Sequence, residues 1–462
     1  MMQRFEMARR LDGVRWNRFH TTVALALGVG WLLDAFEVTI VGNVIGVFKH
    51  LWHLSITEAS WILSIWFVGL MIGAYGFGFL ADRFGRRRLF LLTLVLYGSC
   101  TLLTAVAWSY GALLSFRLLT AIGVGAEYSA INSAIAEFIP ARSRGRANAA
   151  VMNFWSLGAI AAALVTLYLV NALPPAYGWR VAFGFGALVA LSTALMRRSI
   201  PESPRWLFEQ GRVDEAEQVV QGIEQGRTHW LAPSAAGGAA VQVDARRGVW
   251  AQTRELLRRH PGRVALGCAL DFSEAAGYYG LFAFLALFIL PAVHVPDGFA
   301  PFFYLIGNLG ALLGGALVVW LLDRAGRKST VPMFYLLAAG GVLILAASMR
   351  TGSWGWVLAA FTLANLLATG GWISAYPTFS EIFPTELRAT GIGISVAVGR
   401  LGAFAAPLVL TAVADRFGML PALLLLASFW LIGAASMLPW TWWGVEGRGR
   451  ALEALVAPEG AR

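Results

Sequence analysis

Asp34 and Glu37 stand near the middle of TTVALALGVGWLLDAFEVTIVGNVI, residues 21–45. That stretch is apolar for long enough to cross a bilayer, which takes roughly 20 residues. A carboxylate at such depth costs about 2.5–3.5 kcal/mol on insertion scales, so it normally faces a polar cavity or a partner charge. Three residues apart on a helix, the two acids share a face. They suit either a structural lock between helices or a site of reversible protonation. Asp271-x-x-Glu274 repeats the spacing in a later apolar stretch, where it suits either contact with substrate in the cytoplasmic half of a cavity or gating of that cavity. Arg400, in AVGRLGAFAAP, stands near the middle of another apolar stretch. It suits bidentate binding of a substrate carboxylate, and it equally suits pairing with Asp271, Glu274 or Glu127. No histidine lies mid-span, which leaves carboxylates as proton carriers. Neither a nucleophile–base pair nor a metal constellation appears, so neither an enzyme nor a cofactor is expected. His50-x-x-His53 has metal-like spacing but lacks a third ligand.

The composition says what must hold these residues. The chain has 462 residues, 58% hydrophobic and 13% charged. A soluble domain carries roughly 25% charged residues, so this is a polytopic membrane protein. Cys100 and Cys268 lie in apolar segments and fit no disulfide framework. The segment at 21–45 is too long and too acidic for a cleaved signal, and is expected to be retained. A net charge of +10 raises nucleic acid as a partner. Its distribution argues for the lipid bilayer instead. Thirty of the 36 Lys and Arg residues fall in the N-terminus, alternate loops and C-terminal tail. That bias places both termini in the cytoplasm. Only Lys49 and Lys328 are lysines; such Arg and Ala richness suggests a GC-rich bacterial genome, and the expected location is a bacterial inner membrane.

Twelve spans are expected. Six run about 21–45, 57–80, 89–108, 111–136, 146–170 and 179–197, and six about 263–291, 299–322, 330–349, 354–378, 389–413 and 418–440. Gly69, Gly73 and Gly76, and Gly307, Gly310 and Gly314, give small faces for close helix approach. Residues 198–262 form a linker with a cytoplasmic helix after Pro204 and a short basic helix near 249–260. Residues 441–462 read as a solvated tail. The halves repeat in order. Asp82, Arg83 and Arg86 map onto Asp323, Arg324 and Arg327, and Glu137 and Arg144 map onto Glu381 and Arg388. Asp34-x-x-Glu37 maps onto Asp271-x-x-Glu274. The chain therefore divides into a first half (1–197), the linker, a second half (263–440) and the tail.

On these motifs the chain resembles the major facilitator superfamily. The D-R-x-G-R-[RK] loops are similar to its signature. Arg117 opening RLLTAIGVG, PESPRW at 201–206 and EIFPTELR resemble its sugar-porter-like branch. Glu127 in GVGAEYS and Arg400 are more similar to metabolite:proton symporters, the group of nicotinate and aromatic-acid carriers and synaptic-vesicle-protein-like transporters. The resemblance implies an all-α membrane protein with twelve transmembrane helices in two pseudo-symmetric six-helix halves. It implies alternating access by a monomer, with protons and a small molecule as the transported partners. Asp34 and Arg117 resemble the acid–arginine couple of proton-linked sugar porters. A carboxylate beside arginine stays ionised; parted from it in an apolar setting, it takes up a proton. A permanent salt bridge is the plain alternative. Glu127 lies ten residues past Arg117, about 15 Å along the helix, as a second proton site or a partner of span 1. The paired loop charges resemble a cytoplasmic gate.

Glutamines that hold hexose hydroxyls in sugar porters have no counterpart, because every glutamine here lies outside the spans. Trp31, Tyr128, Trp155, Tyr278, Tyr279, Trp372 and Tyr376 instead offer flat apolar surface to a ligand. The expected activity is proton symport of a small organic acid, aromatic acids included. A sugar or polyol symporter, a drug or metabolite exporter and a non-transporting nutrient sensor are the alternatives.

Overall fold

The computed structural model describes the backbone of residues 2–84, 86–197, 200–209, 211–228, 249–383, 387–444 and 446. Helix α1 spans Met2–Gly13. The first bundle is α2 (Arg18–Trp52), α3 (Ile56–Phe84), α4 (Arg86–Ala105), α5 (Tyr110–Phe138), α6 (Arg144–Ala172) and α7 (Pro175–Arg197). Three shorter helices follow, α8 (Pro204–Glu209), α9 (Val213–Glu224) and α10 (Val249–Arg259). Helix α11 (Pro261–Phe284) runs through a π turn, Leu285–Ile289, into α12 (Leu290–Ala292). The second bundle is completed by α13 (Ala300–Ala325), α14 (Arg327–Ser348), α15 (Trp354–Ile382), α16 (Arg388–Phe417) and α17 (Met419–Trp443). No strand occurs among the described residues.

Nine helical stretches among the described residues are long and apolar enough to cross a membrane. Shorter apolar stretches in α4, α5 and α7 occupy the three remaining expected positions, so the twelve spans of the sequence are all found as helices. Local chemistry sets their ends. The Asn17 side chain accepts from the backbone N–H of Phe19 and His20, and His20 returns a bond to the Asn17 N–H. Ser109 caps α5 through the Ala112 N–H. Gly326 and Gly418 separate α13 from α14 and α16 from α17 with φ of 77° and 93°, values that an L side chain adopts only with strain.

In the first bundle α2 packs on α6 and α3 on α5; in the second α11 packs on α16 and α13 on α15. The bundles meet along α3–α16 and α6–α13. Small residues permit these approaches. A Cβ on Gly69 would lie 2.6 Å from the Leu118 carbonyl oxygen, and one on Gly314 would collide with the Leu366 carbonyl.

At the end of the bundle where α2 begins, α1 docks on α9. The sequence signalled no helix there beyond a basic leader. Arg10 donates to both Glu217 oxygens at 2.8 and 2.9 Å and to both Glu224 oxygens at 2.9 and 2.8 Å. These bonds raise the Arg10 pKa above its ordinary value and hold the Glu217 carboxyl below its own. Asn17 Nδ2 donates to the Ile223 carbonyl at 2.7 Å, so the residue that caps α2 also anchors the linker. The single helix expected after Pro204 is two, α8 and α9, parted where Gly211 takes φ 73°. The tail is likewise not wholly solvated. Glu446 accepts from the first backbone N–H groups of α14, Arg327 at 3.0 Å and Lys328 at 3.1 Å, a carboxylate at a helix N-terminus.

Candidate functional site

Arg117 of α5 and Glu37 of α2 form an ion pair at 3.6 Å, and both are buried. The guanidinium also lies 4.5 Å from the centroid of the Trp66 ring. The family couple places Arg117 with Asp34. The structure shows its ion pair with Glu37, one turn further along α2, and Asp34 is buried on the same helix. Neither Glu37 oxygen accepts a hydrogen bond, so charge alone joins the pair. Six residues past Glu37, Asn43 Nδ2 donates to Thr166 Oγ1 at 2.5 Å. Asn43 and Thr166 carried no signal in the sequence beyond lying in apolar runs, and Trp66 only that of an aromatic within a span.

Six of the seven expected aromatics converge at the centre. Trp31 meets Trp155, Trp372 and Tyr376 with ring centroids 6.0, 5.7 and 6.3 Å apart. Trp155 meets Trp372 at 5.4 Å, and its Nε1 donates to the Tyr278 hydroxyl at 3.0 Å. Tyr279 packs on Phe67 at 4.5 Å. The contacts are edge-on or tilted, the favoured geometry for ring quadrupoles. Trp31, Trp155 and Phe67 come from the first bundle, and the others from the second. The side chains of Tyr128 and Glu127 lie outside the described residues. Beside the cluster is a cavity of about 30 Å³ lined by Thr39, Trp66, Arg117, Tyr279, Phe282 and Tyr304. It holds water-sized contents and no ring.

Arg400 of α16 closes the cluster. Its Nη2 donates to the Tyr376 hydroxyl at 3.2 Å, and its guanidinium carbon is 5.9 Å from the Tyr279 centroid. Asp271 and Glu274 of α11 lie within electrostatic reach of it. All three are at most 3% exposed. This is a guanidinium set in aromatic walls with two carboxyls behind it. Such a site can take a planar anion, with ring faces for its apolar part and a donor fork for its carboxylate.

Of the expected gate, Arg327 Nη2 and Glu381 Oε1 form an ion pair at 3.0 Å, and Arg327 Nη1 donates to the Leu322 carbonyl at 3.3 Å. A Cβ on Gly145 would lie 2.8 Å from Arg327 Nη2, so this arginine reaches the first bundle at the start of α6. Arg324 lies over the Trp320 ring at 4.1 Å. The side chains of Asp82, Arg83, Arg86, Glu137, Arg144, Asp323 and Arg388 lie outside the described residues. At the opposite end of the bundle, Ser60 and Thr411 hydroxyls are 3.2 Å apart, Ser64 Oγ donates to the Phe404 carbonyl at 3.1 Å, and Trp61 packs on Phe404 at 5.8 Å. These contacts join α3 to α16.

Twelve membrane helices in two bundles, meeting around a buried polar and aromatic centre, define a transporter of the major facilitator type and not an enzyme. The model of the sugar (and other) transporter family matches residues 34–454, and the chain belongs to that family. It is 33% identical over 411 residues to the niacin transporter NiaP of Acinetobacter baylyi, covering 88% of this chain and 90% of that one. It is 28% identical over 394 residues to a putative niacin/nicotinamide transporter NiaP of Bacillus subtilis, covering 84% and 87%. The fold is similar to the solved proton:xylose symporter XylE bound to 6-bromo-6-deoxy-D-glucose, with a TM-score of 0.77 at 18% identity over 95% of this chain and 99% of that one.

Proposed function

We propose that the protein is a proton symporter of a small aromatic monocarboxylic acid, of the size and chemistry of nicotinate. The observation that carries the reading is Arg400 held against Tyr376 and Tyr279 in a cluster of tryptophans from both bundles. When the two bundles part, a pyridine or benzene ring would pack on such walls while its carboxylate meets the guanidinium fork. The relatives named for niacin favour the same class of cargo. On this reading residues 1–197 and 263–440 act as the two halves, which rock about the centre as a monomer in a bacterial inner membrane with both termini in the cytoplasm. Asp34 and Glu37, with Arg117, carry the coupling proton. Arg327 with Glu381, and the loop charges around them, hold the cytoplasmic side closed.

Purified protein in a thermal-shift screen tests the cargo. Nicotinate and benzoate should raise the melting temperature, while glucose and inositol should not. In proteoliposomes an inward proton gradient should drive accumulation of the acid. Arg400→Lys should weaken acid binding by more than tenfold, because lysine keeps the charge and loses the fork, and a hydrogen bond to a charged group contributes roughly 1.5–3 kcal/mol. Saturable glucose binding without acid binding would return the sugar-porter reading.

A further inference from the structure

Asp271 and Glu274 are left over when Arg117 and Glu37 are assigned to each other. They stand three residues apart on α11, on one face, 0% and 2% exposed. Neither oxygen of Asp271 accepts a hydrogen bond, and neither does Oε1 of Glu274. The Asp271 carboxylate abuts the backbone of α16 so closely that a Cβ on Gly399 would collide with Oδ2. That places it one residue from Arg400.

The charged and titratable groups around the pair can be named element by element. Helix α16 presents Arg400, and α15 presents Tyr376. Helix α14 presents Tyr335, whose hydroxyl donates to the Leu270 carbonyl at 3.1 Å. Helix α11 itself adds Cys268, Tyr278 and Tyr279. Asp34 of α2 interacts with Tyr279 across the bundle interface. Helix α17 packs on α11 through Phe429, Trp430 and Gly433 and contains no ionisable side chain. Among these, Arg400 is the one fixed positive charge and it faces two carboxyls. Two like charges at this spacing cannot both ionise away from water when one cation serves them.

We propose that Asp271 and Glu274 form a second proton site, sharing one proton opposite Arg400, and that a substrate carboxylate docking on Arg400 draws a second proton onto the pair. The charges balance at each stage. Before binding, the singly protonated pair is −1 and Arg400 is +1. Binding adds one anion, and the proton that joins the pair cancels it, so the site stays neutral while acid and proton enter together. The first half of this needs only the chain's own charges. The second half rests on the cargo reading above.

Two measurements on the full-length protein in lipid separate those halves. The first is infrared difference spectroscopy without ligand, wild type against Glu274→Gln and against Asp271→Asn. Each variant leaves one acid for Arg400, so each should lose a protonated-carboxyl C=O stretch that shifts in D2O. Loss of ionised-carboxylate bands alone, in both variants, overturns the shared proton whatever the cargo is. Two variants are used so that one that fails to give a monodisperse folded peak still leaves the other to decide. The second is proton uptake on adding nicotinate to unbuffered protein with a pH-sensitive dye. Wild type should take up about one proton per acid bound, and the double variant Asp271→Asn/Glu274→Gln, in which Arg400 alone neutralises the bound anion, should bind the acid with that uptake lost. Undiminished uptake in the variant, or acid binding to wild type without uptake, overturns the coupling step. Failure of wild type to bind any acid overturns the cargo reading and leaves the infrared result to judge the pair.

Discussion

The ion pair of Arg117 with Glu37 makes a prediction about single side chains. Glu37→Gln removes the ion-pair partner of a guanidinium 2% exposed, and breaking a buried pair by one partner costs about 3–5 kcal/mol. The variant should melt well below wild type, and the double variant Glu37→Gln/Arg117→Gln should recover part of the loss. Additive losses in that double-mutant cycle would show that the two charges do not act together. Asp34→Asn has a different signature, abolishing proton-driven accumulation while leaving counterflow partly intact. Asp34, Glu37, Arg117 and Arg400 were all legible as intramembrane charges, because composition leaves few reasons for a charge at that depth. Which acid meets which arginine was not. Two acids three residues apart share a face, and the choice between them turns on helix rotation and depth, which tertiary packing sets. Phe67 was missed, and Trp66 was not singled out among the span aromatics, for a related reason. A ring in an apolar run has the same sequence signature whether it faces lipid, a neighbour or a cavity.

At the scale of helices, hydropathy placed the ends of the membrane helices to within about four residues, except that α2 runs seven residues past its expected end, since backbone in hydrocarbon must bond internally and so has few options. The cytoplasmic-side elements were less legible. Helix α1 is short and polar, and its amphipathic signal is faint until α9 is there to meet it. The docking of α1 on α9 has a pH signature. Arg10 holds the Glu217 carboxyl below its ordinary pKa, so the contact stabilises above the ordinary carboxylate range and is lost as pH falls through the lowered value. Wild type should therefore melt slightly higher than Arg10→Ala at neutral pH, with the gap closing in acid. The partners are about a third or more exposed, so the gap is at most about 1 kcal/mol. Arg10→Glu should open it further, and adding Glu217→Arg with Glu224→Arg should close it again. A gap that is flat with pH would remove Glu217 from the contact. Between membrane helices the test is steric. Gly314→Val drives a side chain into the Leu366 carbonyl, and should abolish the monodisperse folded peak that Gly340→Val, where nothing lies within 4 Å, leaves intact.

For the whole molecule, the two bundles touch at three levels: Arg327 against the start of α6, the rings at the centre, and Ser60, Ser64 and Trp61 against α16 at the far end. A disulfide between Ser60→Cys and Thr411→Cys should form readily across hydroxyls 3.2 Å apart and stop transport until it is reduced. Continued transport by the cross-linked protein would mean that this end does not open. Glu381→Gln should free Arg327 and raise cysteine labelling of the inner cavity. The two-bundle division was legible through its repeated motifs, whereas the interlocking of rings across the divide was not, because no repeat links Trp31 to Trp372. That interlock has a bearing on the cell's energy supply. Trp155 of one bundle donates to Tyr278 of the other, and four further rings close around them. On the proposed function, rings interlocked in this way would make an idle carrier an insulator, keeping the stored proton gradient from draining through copies waiting for cargo. Trp372→Ala should turn the waiting protein into a leak, read as faster acidification of cargo-free proteoliposomes under an imposed gradient. A variant as tight as wild type would mean that the seal lies elsewhere.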